Sequence, residues 1–336
     1  MNNVSFFDGA NRFVIDKPIR LIELFAGIGS QAKALERIIG GGQFEHYRIC
    51  EFDKYAVASY NAVHGTNFAT SDITKITADD LGIVDTDKYC YIMTYSFPCQ
   101  DLSLAGKQRG MEKGAGTRSG LLWEVERLLD ECKELPQVLV MENVPQVIGT
   151  KNIEHFAKWQ EKLESLGYKN KWQVLNAKDF GVPQNRERCF MVSVLGDYYY
   201  EFPKKIKLEK RLKDLLESEV DEKYYLSDKN RVIFKYGSYY TWRDNKGSIN
   251  TQCNRASGVD SYSLTIATAN TPQVLENHRI RKLTPKECWR LMGFDDADVD
   301  RAKAIGMSDA QLYKQAGNSI VVNVLEAIME KLIKNT

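Results

Sequence analysis

One stretch of the chain decides the fold, and it lies at residues 19–39, which read IRLIELFAGIGSQAKALERII. Residues 19–25 form an apolar run typical of a buried strand, and residues 30–39 have the spacing of an amphipathic helix. The turn between them contains Gly27 and Gly29, and glycines allow a backbone to approach a ligand closely. A strand, a glycine turn and a helix in this order are typical of adenosine-cofactor sites, because the helix N-terminus supplies N–H donors and positive dipole.

A carboxylate follows at the distance that such a site requires. Glu51 lies 22 residues after Gly29, at the end of a second predicted strand, where it can accept hydrogen bonds from both ribose hydroxyls. These residues alone leave the cofactor open between a dinucleotide and S-adenosylmethionine. A purely structural turn is the remaining alternative.

Strand and helix patterns alternate from this stretch to residue 195. Predicted strands cover residues 19–25, 46–50, 89–95, 137–141, 172–176 and 189–195. Predicted helices cover residues 30–39, 55–63, 120–132 and 154–166. This alternation predicts an α/β fold with a Rossmann-like, mostly parallel sheet and helices on both faces.

The character of the sequence changes after residue 195. It becomes aromatic, basic and irregular, and helical patterns return at residues 284–292 and 319–331. Residues 200–290 hold 18 Lys and Arg against 12 Asp and Glu, whereas the whole chain has a net charge of +1. A basic segment would suit a module that faces a polyanion, although an ordinary solvated surface explains it equally well.

Composition excludes several classes of protein. With 336 residues, 43% of them hydrophobic and 27% charged, the chain can bury a real core. Its mean hydropathy of −0.41 and the absence of an 18-residue apolar run predict no membrane association. Charged residues at positions 8, 12 and 16 replace the apolar core of a signal peptide, so we expect a cytoplasmic protein. Seven cysteines without CxxC pairs and four histidines without HExxH spacing predict no metal site.

Three short segments carry the candidate chemistry, and each adjoins a predicted strand end, where parallel-sheet enzymes hold their sites. They are SFPCQ at residues 96–100, ENV at residues 142–144 and FGVPQNRER at residues 180–188. Taken singly, Cys99 could be a structural thiol and Glu142 an ion-pair partner. Arg186 and Arg188 could equally form surface salt bridges.

Together with FAGIGS, these segments resemble, in order and context, the motifs of the cytosine-C5 DNA methyltransferases. The resemblance covers nearly the whole chain and is of the bacterial or phage single-chain type. Its further motifs are Asp72 and Ile73, RSGLLW at residues 118–123, RKLTP at residues 281–285 and GNS at residues 317–319. Ser71 stands where the family usually has glycine. The resemblance implies an S-adenosylmethionine-dependent methyltransferase fold and a DNA (cytosine-5-)-methyltransferase.

The resemblance also implies roles for residues. Cytosine C5 is too electron-poor to attack a sulfonium methyl group, and a thiolate adding at C6 makes C5 nucleophilic. Cys99 is expected to be that nucleophile, Glu142 to donate to N3, and Arg188 to contact O2, with Arg186 also in the catalytic set. The expected residues of the S-adenosylmethionine site are Phe25, Ala26, Gly27, Ile28, Gly29, Ser30, Glu51, Phe52, Asp72, Ile73, Pro98, Leu121 and Asn318.

The implied partner is double-stranded DNA, from which the target base must be flipped into the site. Residues 101–118, rich in glycine and cations, would form a loop that closes on phosphates, and residues 263–265 would mark the return from an insert. The expected parts are a catalytic and cofactor-binding domain at residues 1–195, a target-recognition domain at 196–275 and a returning C-terminal segment at 276–336. We expect a monomer without metal, and pairing with a restriction endonuclease stays open.

Three alternatives come from other classes. The first is a tRNA cytosine-C5 methyltransferase of the same fold, and the second is a non-catalytic DNA-binding paralogue. The third is a nicotinamide oxidoreductase that uses the glycine turn. Intact Cys99, Glu142 and Arg188 argue against the paralogue. A methylation assay that compares duplex DNA with tRNA distinguishes the DNA enzyme from the tRNA enzyme.

Overall fold

A computed structural model of the chain describes residues 11–102, 110–114, 116–226, 233–236, 239–242, 254–268 and 271–333. The strands are β1 (Asn11–Arg12), β2 (Ile19–Leu24), β3 (Phe44–Cys50), β4 (Cys90–Tyr95), β5 (Val138–Asn143), β6 (Tyr168–Asn176), β7 (Glu187–Leu195), β8 (Tyr198–Tyr199), β9 (Ile233–Tyr236), β10 (Tyr239–Trp242), β11 (Arg255–Gly258), β12 (Gln273–Glu276) and β13 (Arg279–Lys282). The α-helices are α1 (Ser30–Ile39), α2 (Lys54–His64), α3 (Ala78–Leu81), α4 (Leu122–Glu131), α5 (Ile153–Ser165), α6 (Pro285–Leu291), α7 (Asp296–Ala304), α8 (Asp309–Asn318) and α9 (Val322–Ile333).

The central sheet has six strands in the order β3-β2-β4-β5-β7-β6. Strands β3, β2, β4 and β5 pair in parallel, whereas β7 is antiparallel to both of its neighbours. The reason is the short link between β6 and β7, since a parallel crossover needs a dozen or more residues and usually a helix. The predicted mostly parallel α/β fold is therefore confirmed.

Hydrophobic residues cover both faces of this sheet. On β5, Val138 and Val140 belong to one buried cluster, and Leu139 and Met141 belong to another. Successive side chains of a strand point to opposite faces, so each face is packed. Helices α1 and α9 contribute to the first cluster, and α4 and α5 contribute to the second. Helices on both faces explain why the central strands read as continuous apolar runs.

The segment that appeared irregular in sequence contains a second sheet, ordered β13-β12-β11-β10-β9. Its strands have four residues each, which is too short for a clear alternating pattern. Backbone hydrogen bonds join Ser263, the first residue of the expected return from the insert, to Pro183 and Asn185. The hairpin of β12 and β13 extends across residue 275, where we expected the target-recognition domain to end. Tyr200, upstream of this sheet, belongs to the buried cluster on one face of the central sheet.

A buried ion cluster joins the second sheet to α6. The guanidinium of Arg281 bonds both carboxylate oxygens of Glu287, at 2.8 and 2.9 Å, and Glu276 at 2.9 Å. Arg281 and Glu287 are fully buried. Glu287 also accepts from the backbone of Thr284, which caps α6. Removing either partner of such a pair is strongly destabilising, because it leaves a buried charge unpaired. No helix among the described residues is long and apolar enough to cross a membrane.

Candidate active site

A cavity of about 370 Å³ lies at the C-terminal ends of β2, β3, β4 and β5. Every predicted site residue lines it except Gly29. The other lining residues are Gln31, Cys50, Asp53, Ala56, Ser71, Ser96, Phe97, Gln100, Arg118, Val144, Lys314, Gln315, Gly317, Ser319 and Ile320. Tertiary structure thus brings residues from positions 25 to 320 around one space.

The FAGIGS turn has a constrained backbone. Phe25 adopts a φ of 59°, which is unusual for a residue with a side chain. Its N–H donates to the carbonyl of Cys50 at 2.7 Å, and the N–H of Gly27 donates to Oε2 of Glu51 at 3.0 Å. A strained residue held by its surroundings is typical of ligand sites.

Gly29 was predicted to bind cofactor, but it does not line the cavity. Its φ is 80°, and a Cβ placed there would lie 2.3 Å from Nε2 of His64 and 2.7 Å from the ring of Tyr60. Gly29 therefore permits close packing of α1 against α2. A Cβ on Gly27, whose φ is 57°, would meet no described atom within 4 Å.

These two glycines give a matched pair of variants. Gly29→Ala should lower the free energy of unfolding by about 2–4 kcal/mol, since it adds left-handed strain and an overpacked methyl group. Gly27→Ala adds strain alone, about 1–2 kcal/mol, because its methyl group would meet no described atom. Urea denaturation measures both effects. Equal destabilisation by the two variants would contradict the packing role of Gly29.

Glu51 lines the cavity and accepts hydrogen bonds from two backbone N–H groups. Its Oε1 accepts the N–H of Asp53 at 2.9 Å, while Oε2 accepts Gly27, so each oxygen keeps a lone pair for another donor. Burial raises the pKa of Glu51. The neighbouring ring of Phe52 is 78% exposed and lines the same cavity, which leaves an apolar face available to a planar ligand.

Cys99 lies on a loop that two other residues fix. The amide of Asn143 donates to the carbonyl of Phe97 at 2.9 Å, and the hydroxyl of Ser119 donates to the carbonyl of Pro98 at 2.6 Å. Burial, followed by the negative charge of Glu142, raises the pKa of the Cys99 thiol. The resting thiol is therefore protonated at neutral pH. Asn143 and Ser119 both lie inside the quoted motifs, but their positioning role was not predicted.

Glu142 and Arg188 form an ion pair beside this thiol, with 3.0 Å between Oε1 and Nε. The carboxylate of Glu142 is buried, and burial raises its pKa although Arg188 and Arg186 act in the opposite direction. A carboxyl group in this setting can retain a proton and donate it to a ligand.

Arg186 holds backbone segments together. Its guanidinium donates to the carbonyl oxygens of Ile266 at 2.7 Å, Ser319 at 2.8 Å and Gly317 at 3.1 Å. These bonds tie the QNRER segment to the GNS motif, which places Asn318 at the cavity. Arg186 is 4% exposed, so its contacts indicate a positioning role for a residue we expected to be catalytic.

An unpredicted ion pair joins the cofactor side to the C-terminal segment. Nζ of Lys314 lies 2.7 Å from Oδ2 of Asp53, and both residues line the cavity. The sequence holds one weak signal for this pair, since Lys314 lies one helical turn before the predicted site residue Asn318 on α8.

In the predicted phosphate loop, residues 103–109 and 115 lie outside the described residues. At its described ends, Oδ2 of Asp101 accepts the N–H of Arg118 at 2.9 Å.

This chain is similar to known proteins. The model of the C-5 cytosine-specific DNA methylase family matches residues 19–334. The orphan methyltransferase M.SssI of Spiroplasma monobiae is 35% identical, over 94% of this chain and 97% of its own length. The type II methyltransferase M.NlaX of Neisseria lactamica is 36% identical, over 93% of this chain and 96% of its own.

Solved structures agree with the fold. A methyltransferase of Entamoeba histolytica, EhMeth, superposes with a TM-score of 0.73 at 19% identity, covering 94% of this chain and 98% of its own. The Dnmt2 methyltransferase of S. pombe gives a TM-score of 0.70 at 21% identity, covering 93% and 97%. At these identities the likeness shows the fold alone. With the family match over nearly the whole chain, it follows that this protein belongs to the C-5 cytosine-specific DNA methylase family and is a DNA (cytosine-5-)-methyltransferase.

Proposed function

We propose that the enzyme transfers a methyl group from S-adenosylmethionine to C5 of a cytosine flipped out of a specific double-stranded DNA sequence. The transfer proceeds through a covalent bond between Sγ of Cys99 and C6 of the cytosine. The observation that carries the proposal is the shared cavity. Cys99, Glu142 and Arg188 line it together with the FAGIGS turn and Glu51.

The residues present fit S-adenosylmethionine. The space next to Gly27 is open, since a Cβ there would meet no described atom. Glu51 has acceptor capacity for two ribose hydroxyls, and Phe52 offers a ring face to adenine. The N-terminus of α1 adds N–H donors and positive dipole for a carboxylate. When bound there, S-adenosylmethionine supplies an electrophilic methyl group.

The protein residues activate the base. Thiolate addition at C6 pushes an electron pair toward C5 and builds negative charge on N3 and O2. Glu142 donates its proton to N3, while Arg188 stabilises O2 and holds Glu142 in place. After methylation, the C5 proton passes to solvent water, and its electron pair re-forms the C5–C6 double bond while the bond between C6 and Sγ of Cys99 breaks. The N3 proton returns to Glu142, and the aromatic ring is restored. Arg186 positions this segment through its three carbonyl contacts.

Glu51 gives a direct test of the cofactor site. Glu51→Gln removes the charge while preserving shape, and should weaken cofactor binding by about 1.5–3 kcal/mol, measured by calorimetry. Because burial raises the pKa of Glu51, wild-type affinity should fall as the pH drops through that raised pKa and the acceptor is lost. The control is Glu45→Gln on β3, the strand that Glu51 follows, where Glu45 is exposed and pairs with Arg20. Unchanged affinity in Glu51→Gln would assign the ribose to other residues.

We place sequence recognition in the insert at about residues 196–260. Tyr200, Phe202 and Leu212 belong to the buried cluster on one face of the central sheet, and Val259 packs against it, so an exchange of the insert should begin after Leu216 and end at residue 258. A hybrid carrying those residues of a relative with another site should methylate the relative's site. Sequencing of the methylated products checks this. An active hybrid that keeps the parental site would place recognition elsewhere, first in residues 101–118.

We propose a monomer acting in the cytoplasm on duplex DNA, as an orphan enzyme or beside a restriction endonuclease. Expression in a bacterial host followed by bisulfite sequencing tests activity and site together, with Cys99→Ala as the inactive control. Methylation of tRNA alone would overturn the DNA assignment, and duplex binding without methylation would indicate a non-catalytic paralogue.

A further inference from the structure

We propose that Glu36, His46 and His64 form a site for a divalent transition-metal ion of the Zn²⁺ class. The three residues come from α1, β3 and α2, and none of them lines the catalytic cavity. One ligand atom from each lies within 4.8 Å of the other two. Oε1 of Glu36 is 2.8 Å from Nδ1 of His64 and 3.8 Å from Nε2 of His46.

The contacts of His64 suit a metal ligand. Its Nε2 lies 3.1 Å from the carbonyl oxygen of Ile28, which can only accept, and its Nδ1 lies 2.8 Å from the carboxylate of Glu36. With the N–H at Nε2 donating to Ile28, Nδ1 of this buried side chain presents a lone pair beside the carboxylate. A metal ion shared by the two groups would satisfy both.

His46 is oriented in the same way. The hydroxyl of Tyr60 donates to the buried carboxylate of Glu23, so its oxygen accepts from Nδ1 of His46 at 3.1 Å. That bond leaves the Nε2 lone pair of His46 on the side of Glu36. Histidine ligands of metal ions characteristically donate their other N–H to an oxygen, which fixes the tautomer. Both histidines meet this condition, one through Tyr60 and the other through Ile28.

The nearest lysine lies closer to other carboxylates than to Glu36. Nζ of Lys33 lies 3.9 Å from Glu36, but it is 3.0 Å from a carboxylate oxygen of Asp295 and 3.0 Å from one of Asp298. Those two aspartates also pair with two arginines. The side chains of His46 and Glu36 keep 17% and 23% of their surface exposed, which gives a hydrated ion a route in and a water a fourth position.

The ligand set indicates both the ion and its effect. Two imidazole nitrogens and one carboxylate oxygen suit Zn²⁺, Co²⁺ or Ni²⁺ better than Ca²⁺ or Mg²⁺. A bound ion would join α1, β3 and α2 and, through the bond from His64 to Ile28, would support the cofactor turn. Its role is structural. The sequence indicated no metal because residues 36, 46 and 64 follow no short ligand spacing.

Cobalt titration of the full-length protein tests the site. After chelator treatment, we expect one Co²⁺ per chain, with a visible ligand-field band and no thiolate charge-transfer band. His46→Gln and Glu36→Gln should each weaken Co²⁺ binding at least about tenfold, because each removes a ligand. The matched control is His278→Gln, since His278 is an exposed histidine in another part of the fold. Zn²⁺ should raise the Tm of wild type and of the control, but not of the two ligand variants.

Two results would overturn the proposal. Equal Co²⁺ binding by wild type, His46→Gln and Glu36→Gln, all folded by circular dichroism, would place the ion elsewhere. The absence of binding at micromolar free Co²⁺ would leave the contact between His64 and Glu36 as a hydrogen bond that holds no metal ion.

Discussion

Cys99→Ala is expected to abolish methyl transfer and the covalent adduct with DNA that contains 5-fluorocytosine. Fluorine cannot leave C5 as a cation, so in the presence of S-adenosylmethionine the wild-type enzyme should remain bonded to DNA through denaturing electrophoresis. Without the thiol no bond to C6 forms, and turnover should fall by roughly 10⁴-fold or more. DNA binding, measured by gel shift, should persist because the cavity retains its shape.

The control for this variant lies in the same cavity. Cys50 also lines it, but its thiol is buried and bonds the carbonyl of Ser71, and burial raises its pKa to about 11. Cys50→Ala should therefore keep the adduct. An adduct that persists in Cys99→Ala and disappears in Cys50→Ala would reverse the assignment of the nucleophile.

Glu142→Gln is expected to lower turnover by about 10²–10⁴-fold while preserving the contact with Arg188, because the amide cannot transfer a proton to N3. Single-turnover methylation measures the loss. The control is Glu187→Gln, an exposed residue beside Arg188. A Glu142→Gln enzyme with wild-type rates would remove Glu142 from the proton transfer.

The pH dependence of kcat/KM provides a second test of the same pair. The reactive form of the enzyme has a thiolate at Cys99 and a proton on Glu142. The resting form, with a thiol and a carboxylate, carries the same number of protons, so the ratio of the two forms does not change with pH. The fraction of reactive enzyme is therefore constant between the two raised pKa values, and the plot of kcat/KM against pH should be a flat-topped bell. In Glu142→Gln the alkaline limb should disappear. The pKa of Cys99 should also fall in that variant, since the negative charge that raises it is gone.

Much of the fold was readable because its signals are local. Buried strands and amphipathic helices differ in hydrophobic period, so the segments now called β2, α1, β4 and α5 were each predicted close to their observed bounds. Short motifs such as SFPCQ and ENV identified Cys99 and Glu142 because their chemistry depends on residue type. The four-residue strands of the second sheet gave no such signal.

The sequence by itself determined the α/β alternation, the glycine turn and the motifs on which the family resemblance rests. Only the tertiary structure decided the antiparallel direction of β7, the packing role of Gly29 and the carbonyl contacts of Arg186. The tertiary structure also brings Glu36, His46 and His64 together in one cluster. Each of these depends on groups distant along the chain, such as Arg186 and Ser319, and no local period or propensity encodes the distance between them.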